Sequence, residues 1–276
     1  MHLIIQGAEI ATGDLKQLAK SSGASGIEQI CPSAFRLRNA QPAADIAALC
    51  EASKLDFAFI PEDRHLTDFK LLVMDMDSTL ITIETIDELA DLIGIKPQVA
   101  AITEQAMRGE IEYNESLQRR VALLKGLDES ALKRVYDERL KLSPGADVLL
   151  AAAKKHGIKT LLVSGGFTYV TNLLKPRLGL DYTYSNTLGI ANGKLTGEVI
   201  GRIVNADAKR DELLRVSASL GIQREQIIGM GDGANDLKFM AECGVSVAYH
   251  AKPIVRGQTT HAINFSGLDA AVNFFN

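Results

Sequence analysis

Apolar positions near the start of the chain come in short clusters with turn residues between them. Leu3, Ile4 and Ile5 predict a strand, Asp14 to Ser22 a helix, and Ile27 to Cys31 and Phe35 to Leu37 two more strands. A helix over Ala43 to Ala52 and a strand over Phe57 to Ile60 follow. The order is βαββαβ, that of a ferredoxin-like layer. Pro61-Glu62-Asp63-Arg64-His65 is polar and proline-led, so it reads as a linker. Residues 1–68 are therefore expected to form a small α+β domain of their own.

The pattern then changes. Phe69 to Met74 is an unbroken apolar run of buried-strand character. From about Glu84 to Tyr136 the period is helical, with breaks at Gly94 to Pro97, Gly109 to Glu112 and Gly126 to Asp128, which predicts four helices. Alternation resumes with a helix at Ala146 to His156, a strand at Thr160 to Val163 and a helix after Phe167. Tyr182 to Thr187 and Leu195 to Ile200 flank Asn192-Gly193, a hairpin turn. A helix over Ala206 to Leu220, a strand over Gln226 to Ile228, a helix over Asn235 to Glu242 and strands at Val245 to Ala248 and Ala262 to Ile263 complete the chain. Strands separated by helices imply a parallel, doubly wound sheet. Residues 69–276 are expected to be that α/β domain, with the helical block at about 84–140 inserted as a cap.

Composition narrows the class. The chain has 276 residues, 46% hydrophobic and 23% charged, with a formal charge of -4. It can bury a sizeable core, and no basic, aromatic surface for nucleic acid is indicated. The N-terminal residues lack a basic leader, and no apolar run approaches the roughly 20 residues of a membrane helix. Cys31, Cys50 and Cys243 have neither disulfide nor zinc spacing. The expected compartment is the cytoplasm.

Candidate chemistry lies where strands end, the place for ligands in parallel sheets. Asp75-Met76-Asp77-Ser78-Thr79 puts two carboxylates just past a buried strand. Asp75 suits a nucleophile toward phosphorus, and Asp77 a proton donor to the leaving alkoxide and then a base toward water. A calcium loop of the EF-hand kind does not fit, because Leu80 and Ile86 stand where its glycine and glutamate belong. Gly231-Asp232-Gly233-Ala234-Asn235-Asp236 follows another apolar strand. Asp232 would join Asp75 and the Asp77 carbonyl in an oxygen-only Mg²⁺ site, with Asn235 and Asp236 orienting the ligands. A dinucleotide loop is the competing reading; the G-x-G-x-x-G spacing is absent and Asp232 would repel a pyrophosphate. Ser164-Gly165-Gly166 offers a hydroxyl and backbone N–H groups to a phosphoryl group, and Lys209 a cation. A helix cap and a solvated lysine would look the same locally.

In order, Asp75-x-Asp77-x-Thr79, Ser164, Lys209 and Gly231-Asp232-Gly233-x-Asn235-Asp236 resemble the motif set of the haloacid dehalogenase superfamily over about residues 69–276. The resemblance implies a Rossmann-like core, Mg²⁺ and an aspartyl-phosphate intermediate. Glu84-Thr85-Ile86-Asp87-Glu88, Ser116-Leu117-x-x-Arg120-Val121, Val163-Ser164-Gly165-Gly166-Phe167 and Asn205-Ala206-x-Ala208-Lys209 further resemble the phosphoserine phosphatase family. That implies hydrolysis of O-phospho-L-serine, the closing step of serine biosynthesis; phosphothreonine and phosphohomoserine are the alternative substrates. It also implies that Glu84 and Arg120 face the amino-acid part of the substrate, Met107 and Tyr113 an apolar wall, and Gly165 and Gly166 the phosphate. Glu84 can accept from an ammonium, and Arg120 can take a carboxylate through two parallel bonds. In topology alone the first domain resembles the small regulatory ACT domain; an unrelated α/β cap is the alternative. It carries no ligand motif, and the roles open to it are amino-acid sensing, assembly of a homodimer, or packing.

Overall fold

The computed structural model describes residues 1–276. In chain order it contains β1 (His2–Gln6), α1 (Thr12–Ser21), β2 (Gly26–Cys31), β3 (Ala34–Arg38), α2 (Ile46–Ala52), β4 (Asp56–Ile60) and β5 (Leu71–Met74). Four helices follow: α3 (Thr85–Leu92), α4 (Lys96–Met107), α5 (Tyr113–Ala122) and α6 (Ser130–Arg134). Then come α7 (Ala146–Lys155), β6 (Lys159–Phe167), α8 (Thr168–Leu178), β7 (Tyr182–Ala191), β8 (Lys194–Ile200) and α9 (Ala206–Leu220). The chain closes with β9 (Ile227–Gly231), α10 (Leu237–Met240), β10 (Val245–Tyr249), α11 (Pro253–Arg256) and β11 (His261–Ile263). Two compact units result: residues 1–72 with 144–159 and 221–276, and residues 73–143 with 160–220.

In the first unit, β1 to β4 form an antiparallel sheet in the order β2-β3-β1-β4, the ferredoxin-like arrangement that the sequence predicts. Alternation along β1 sends Leu3 and Ile5 into a core with Leu37, Leu15 and Leu18 of α1, and Ile46 and Cys50 of α2. The same unit holds the parallel strands β9, β10 and β11. Lys70, just before β5, donates its N–H to the Gln226 carbonyl and accepts from the Lys159 N–H. The two sheets of this unit are tied by Asp56, 1% exposed, at the start of β4. Its carboxylate accepts the backbone N–H groups of Asn264 (2.6 Å), Phe265 (3.1 Å) and Ser266 (2.8 Å). Leu268–Phe274 forms a 3₁₀ helix against α7 that the sequence reading leaves unassigned, because so short a run shows no resolvable period.

In the second unit, β6 and β7 are parallel and β7 and β8 form the expected hairpin. Its turn residues Asn192 and Gly193 have φ of 52° and 73°, the left-handed pair of a type I′ turn. β6 runs further than expected, to Phe167: its register with β7 breaks after Ser164, so Gly165 and Gly166 bulge out before Phe167 pairs with Asn186. The helical block has the four predicted helices. α6 continues into one turn of π-helix, Val135–Arg139. Leu89, Leu117, Val121, Leu124, Leu132 and Val135 make its core. The two strands of chain that enter and leave it are paired, Thr82 N–H to Lys141 O and Ser143 N–H to Leu80 O.

Candidate active site

β5 is buried at every residue, which fixes where its C-terminal end delivers the next side chains. Asp75 follows at 6% exposure, and its Oδ1 accepts from the Met76 N–H at 2.7 Å and from Lys209 Nζ at 2.9 Å. Lys209 sits in the first turn of α9 and is fully buried. A buried ammonium is costly without a partner, and Asp75 provides one. Asn205 starts the helix by accepting the Ala208 N–H on Oδ1 at 3.0 Å, which orients the first turn and Lys209 with it.

Asp77 is held differently. Thr85, the first residue of α3, donates its hydroxyl to Asp77 Oδ1 at 2.9 Å and its N–H to Oδ2 at 3.2 Å. Burial, then the nearby Glu84 charge, push the Asp77 carboxyl up to about 8, against the pull of those two bonds and of Lys209. Glu84 is raised as well, chiefly by burial, while the Ser78 hydroxyl donates to its Oε1 at 2.6 Å and the charge of Arg120 works to lower it. Ser78 reaches Glu84 from a left-handed conformation, φ 57°.

The bulge after β6 supplies the third element. Ser164 is fully buried and its Oγ accepts the Gly166 N–H at 2.8 Å, so the hydroxyl proton remains available as a donor. At both glycines an added side chain would push against residues of the site. A Cβ on Gly165 would lie 2.2 Å from the Tyr113 hydroxyl, and one on Gly166 would lie 2.7 Å from Met76 Cε and 3.1 Å from Asp77 Oδ2. Asn186 of β7 locks this bulge: its amide donates to the Gly165 carbonyl at 2.8 Å and its Oδ1 accepts the Val204 N–H at 2.8 Å.

The second unit thus brings together Asp75, Asp77, Glu84, Tyr113, Ser164, Gly165, Gly166 and Lys209, and sets Arg120 close enough for its charge to act on Glu84. Met107, at the end of α4, is 65% exposed, where an apolar wall would be expected to shield it. Thr85, Ser78 and Asn186 are additional polar residues of the site. No local pattern in the sequence singles out Thr85, because its partner lies eight residues away.

In the first unit, the loop after β9 is built around Asp236, which is fully buried. Its Oδ2 accepts the Gly233 N–H at 3.0 Å, and a Cβ on Gly231 would meet that carboxyl at 2.5 Å. Asp232 and Asn235 are partly exposed on the same loop. α10 begins at Leu237 and spans four residues, shorter than predicted, because the chain up to Asp236 is used in this turn.

Comparison with known proteins gives matching assignments. The model of the haloacid dehalogenase-like hydrolases matches residues 69–244, and a domain of unknown function matches residues 3–46. A phosphoserine phosphatase of Polaromonas sp. strain JS666 is 55% identical over 212 residues, 75% of this chain and 90% of that protein. Among solved structures, a haloacid dehalogenase family hydrolase of Salmonella enterica serovar Typhi superposes with a TM-score of 0.90 at 32% identity, over 100% of this chain and 98% of that one. An unliganded probable phosphoserine phosphatase of Vibrio cholerae gives 0.86 at 37% identity, over 99% of this chain and 85% of that one.

Proposed function

Since the chain belongs to the haloacid dehalogenase-like hydrolases, we propose that it hydrolyses O-phospho-L-serine to L-serine and phosphate, with Asp75 as nucleophile. The observation that carries this reading is the pair of unlike carboxyls two residues apart. Asp75 is ion-paired to a buried lysine, while Asp77 is pushed up to about 8 by burial. One is kept as an anion that can attack; the other keeps a proton it can give.

An Asp75 oxygen attacks phosphorus, the bond from phosphorus to the serine oxygen breaks, and Asp77 gives its proton to the departing alkoxide. Asp77, now ionised, takes a proton from water as that water attacks phosphorus, and phosphate leaves as the Asp75 carboxylate is restored. Ser164 and the Lys209 ammonium are available to the phosphoryl oxygens. Glu84 accepts from the substrate ammonium and Arg120 takes its carboxylate. Tyr113, against Gly165, helps to keep bulk water out.

A divalent cation fits the residues present. Asp75, Asp232 and Asp236 offer carboxylate oxygens and neither sulfur nor imidazole, a donor set suited to Mg²⁺. Asp75, Asp232 and the Asp77 carbonyl would hold it. Asp236, with one oxygen committed to Gly233, would orient the others. When bound, the ion screens the approach of one anion to another.

We read residues 1–68 as an α+β domain and 69–276 as the phosphatase domain, with the cap at about 84–140; the family match starting at residue 69 supports that division. No helix is long and apolar enough to cross a membrane, in keeping with action on a small water-soluble ester in the cytoplasm.

The test is a panel of phosphate esters assayed with Mg²⁺ and with excess chelator. L-phosphoserine is expected to give the highest kcat/KM, ahead of phosphothreonine and of ethanolamine phosphate, which lacks the carboxylate. Chelation is expected to abolish turnover and added Mg²⁺ to restore it. A preference for ethanolamine phosphate, or full activity in chelator, would refute the assignment.

A further inference from the structure

Both carboxyl oxygens of Asp77 are held by one residue from another element. Thr85 is buried at 1% exposure and makes both of its available donors converge on one carboxyl, hydroxyl to Oδ1 and N–H to Oδ2. Its N–H is free to do so because it opens α3: the first N–H groups of a helix have no acceptor within the helix. Glu84, which precedes it, has extended backbone angles and stands at the N-cap, with no side-chain bond to its own helix. The start of α3 therefore carries two neighbours with separate tasks. Glu84 turns toward Ser78, and Thr85 turns toward Asp77.

A carboxyl with two bonded donors on its two oxygens has lost rotation about its last bond. For a proton donor this matters more than for a nucleophile already clamped by a lysine, since proton transfer demands the oxygen within hydrogen-bond reach of the leaving group. On the other side, Gly166 leaves space that any side chain would take from Asp77 Oδ2. Thr85 sets the plane of the carboxyl, and the glycine keeps its open edge clear.

We propose that Thr85 is a positioning residue for Asp77, fixing that carboxyl so that its proton is delivered to the departing oxygen of the substrate. The inference rests on the reading of Asp77 as the acid of the phosphatase. It makes a demand that a general packing role for Thr85 does not: loss of the hydroxyl must hurt esters in proportion to their need for a proton. An alkyl ester such as phosphoserine needs one, and p-nitrophenyl phosphate, whose phenolate leaves as a stable anion, does not.

The experiment compares wild type, T85V and T85S on both esters in Mg²⁺, reading kcat/KM because it covers the steps up to phosphoryl transfer. Valine keeps the volume and removes the hydroxyl; serine restores it. The ratio of kcat/KM for phosphoserine to that for p-nitrophenyl phosphate is expected to fall about 10- to 100-fold in T85V, a share of what general acid catalysis contributes. In T85S it should return to within about threefold of wild type, with unchanged KM for phosphoserine. Equal losses on both esters in T85V, no loss on either, or a T85S ratio as low as that of T85V would overturn the role of Thr85. Thermal melts of the three proteins identify a variant that fails to fold; if valine does, T85A, which also removes the hydroxyl, takes its place in the same ratio and is judged by the same outcomes. If the wild-type enzyme prefers another alkyl phosphate, the substrate assignment falls, and the ratio is read with that ester instead.

Discussion

Asp56 and Asp75 are both shut away from solvent, at 1% and 6% exposure, yet the two regions that hold them use a buried carboxylate in opposite ways. Asp56 accepts three consecutive backbone N–H groups, from Asn264, Phe265 and Ser266. Its donors belong to main chain and cannot reorient. Asp75 accepts from one neighbouring N–H and from the end of a lysine side chain. Desolvating a carboxylate is unfavourable in both places, and both are compensated by charge-assisted bonds. The difference lies in what the compensation achieves: in the first unit it joins β4 to the segment after β11, and in the second it holds the carboxylate that the proposed reaction uses as its nucleophile. A buried charge therefore does not by itself mark a catalytic residue; the kind of donor that meets it does.

The comparison is tested hardest at Asp75. Asn in its place keeps the shape and removes the carboxylate proposed as nucleophile. D75N should lower kcat for phosphoserine on the order of 10⁴-fold or more, as loss of a nucleophile does elsewhere, while far-UV circular dichroism stays unchanged. A D75N enzyme with near-native turnover would erase the chemical half of the contrast.

Asp56 should behave in the reverse manner. D56A leaves three partly buried N–H groups without their acceptor, and unfolding in urea is expected to show a loss of about 2 kcal/mol. Its kcat for phosphoserine, measured where the variant is folded, should stay within about twofold of wild type, since the segment it holds contributes no group to the reaction. If D56A were as stable as wild type, or folded but inactive, the division between tie and reactive group would be wrong.

Which of these features the sequence discloses follows from how local each one is. The cap helices are legible because their breaks fall at Gly94, Gly109 and Gly126, whose positive φ angles only glycine adopts without strain. α9 is legible from end to end, and Lys209 with it, because a fifteen-residue helix shows its period. Asp75, Asp77 and the glycine loop around Asp232 are legible as compact motifs at strand ends. Thr85 is not, because its bond to Asp77 spans eight residues and closes only when the start of α3 folds back. Asn186 acts on a carbonyl 21 residues away, and Asp56 on an amide 208 residues away. Such pairings leave no spacing to read. The extension of β6 is hidden for another reason: Gly165-Gly166 looks like a strand end, and only the pairing of Phe167 with Asn186 shows that the strand continues past a bulge.

A third buried titratable group in the first unit offers the gentlest test. His261 of β11 lies against Phe274, ring centroids 4.8 Å apart, with Arg64 Nη1 at 3.3 Å from its Nε2. Burial, helped by the Arg64 charge, pulls its pKa from 6.5 down to about 4. In the folded protein the ring stays neutral at pH 5, whereas in the unfolded chain it takes up a proton below about 6.5. The unfolded state thus binds more protons, so stability is full above pH 6.5 and falls as pH drops toward 4. Between pH 7 and 5 this group should cost wild type about 2 kcal/mol of unfolding free energy. H261Q keeps an acceptor for Arg64 and cannot titrate, so its unfolding free energy should vary with pH by about that much less over the same interval. Phosphoserine turnover by the folded variant should be unaltered, which would place His261 beside Asp56 as a residue of the scaffold. An identical pH dependence in H261Q and wild type would mean that the ring takes up its proton as readily folded as unfolded, and that the polar contacts of this unit tolerate charge far better than its burial implies.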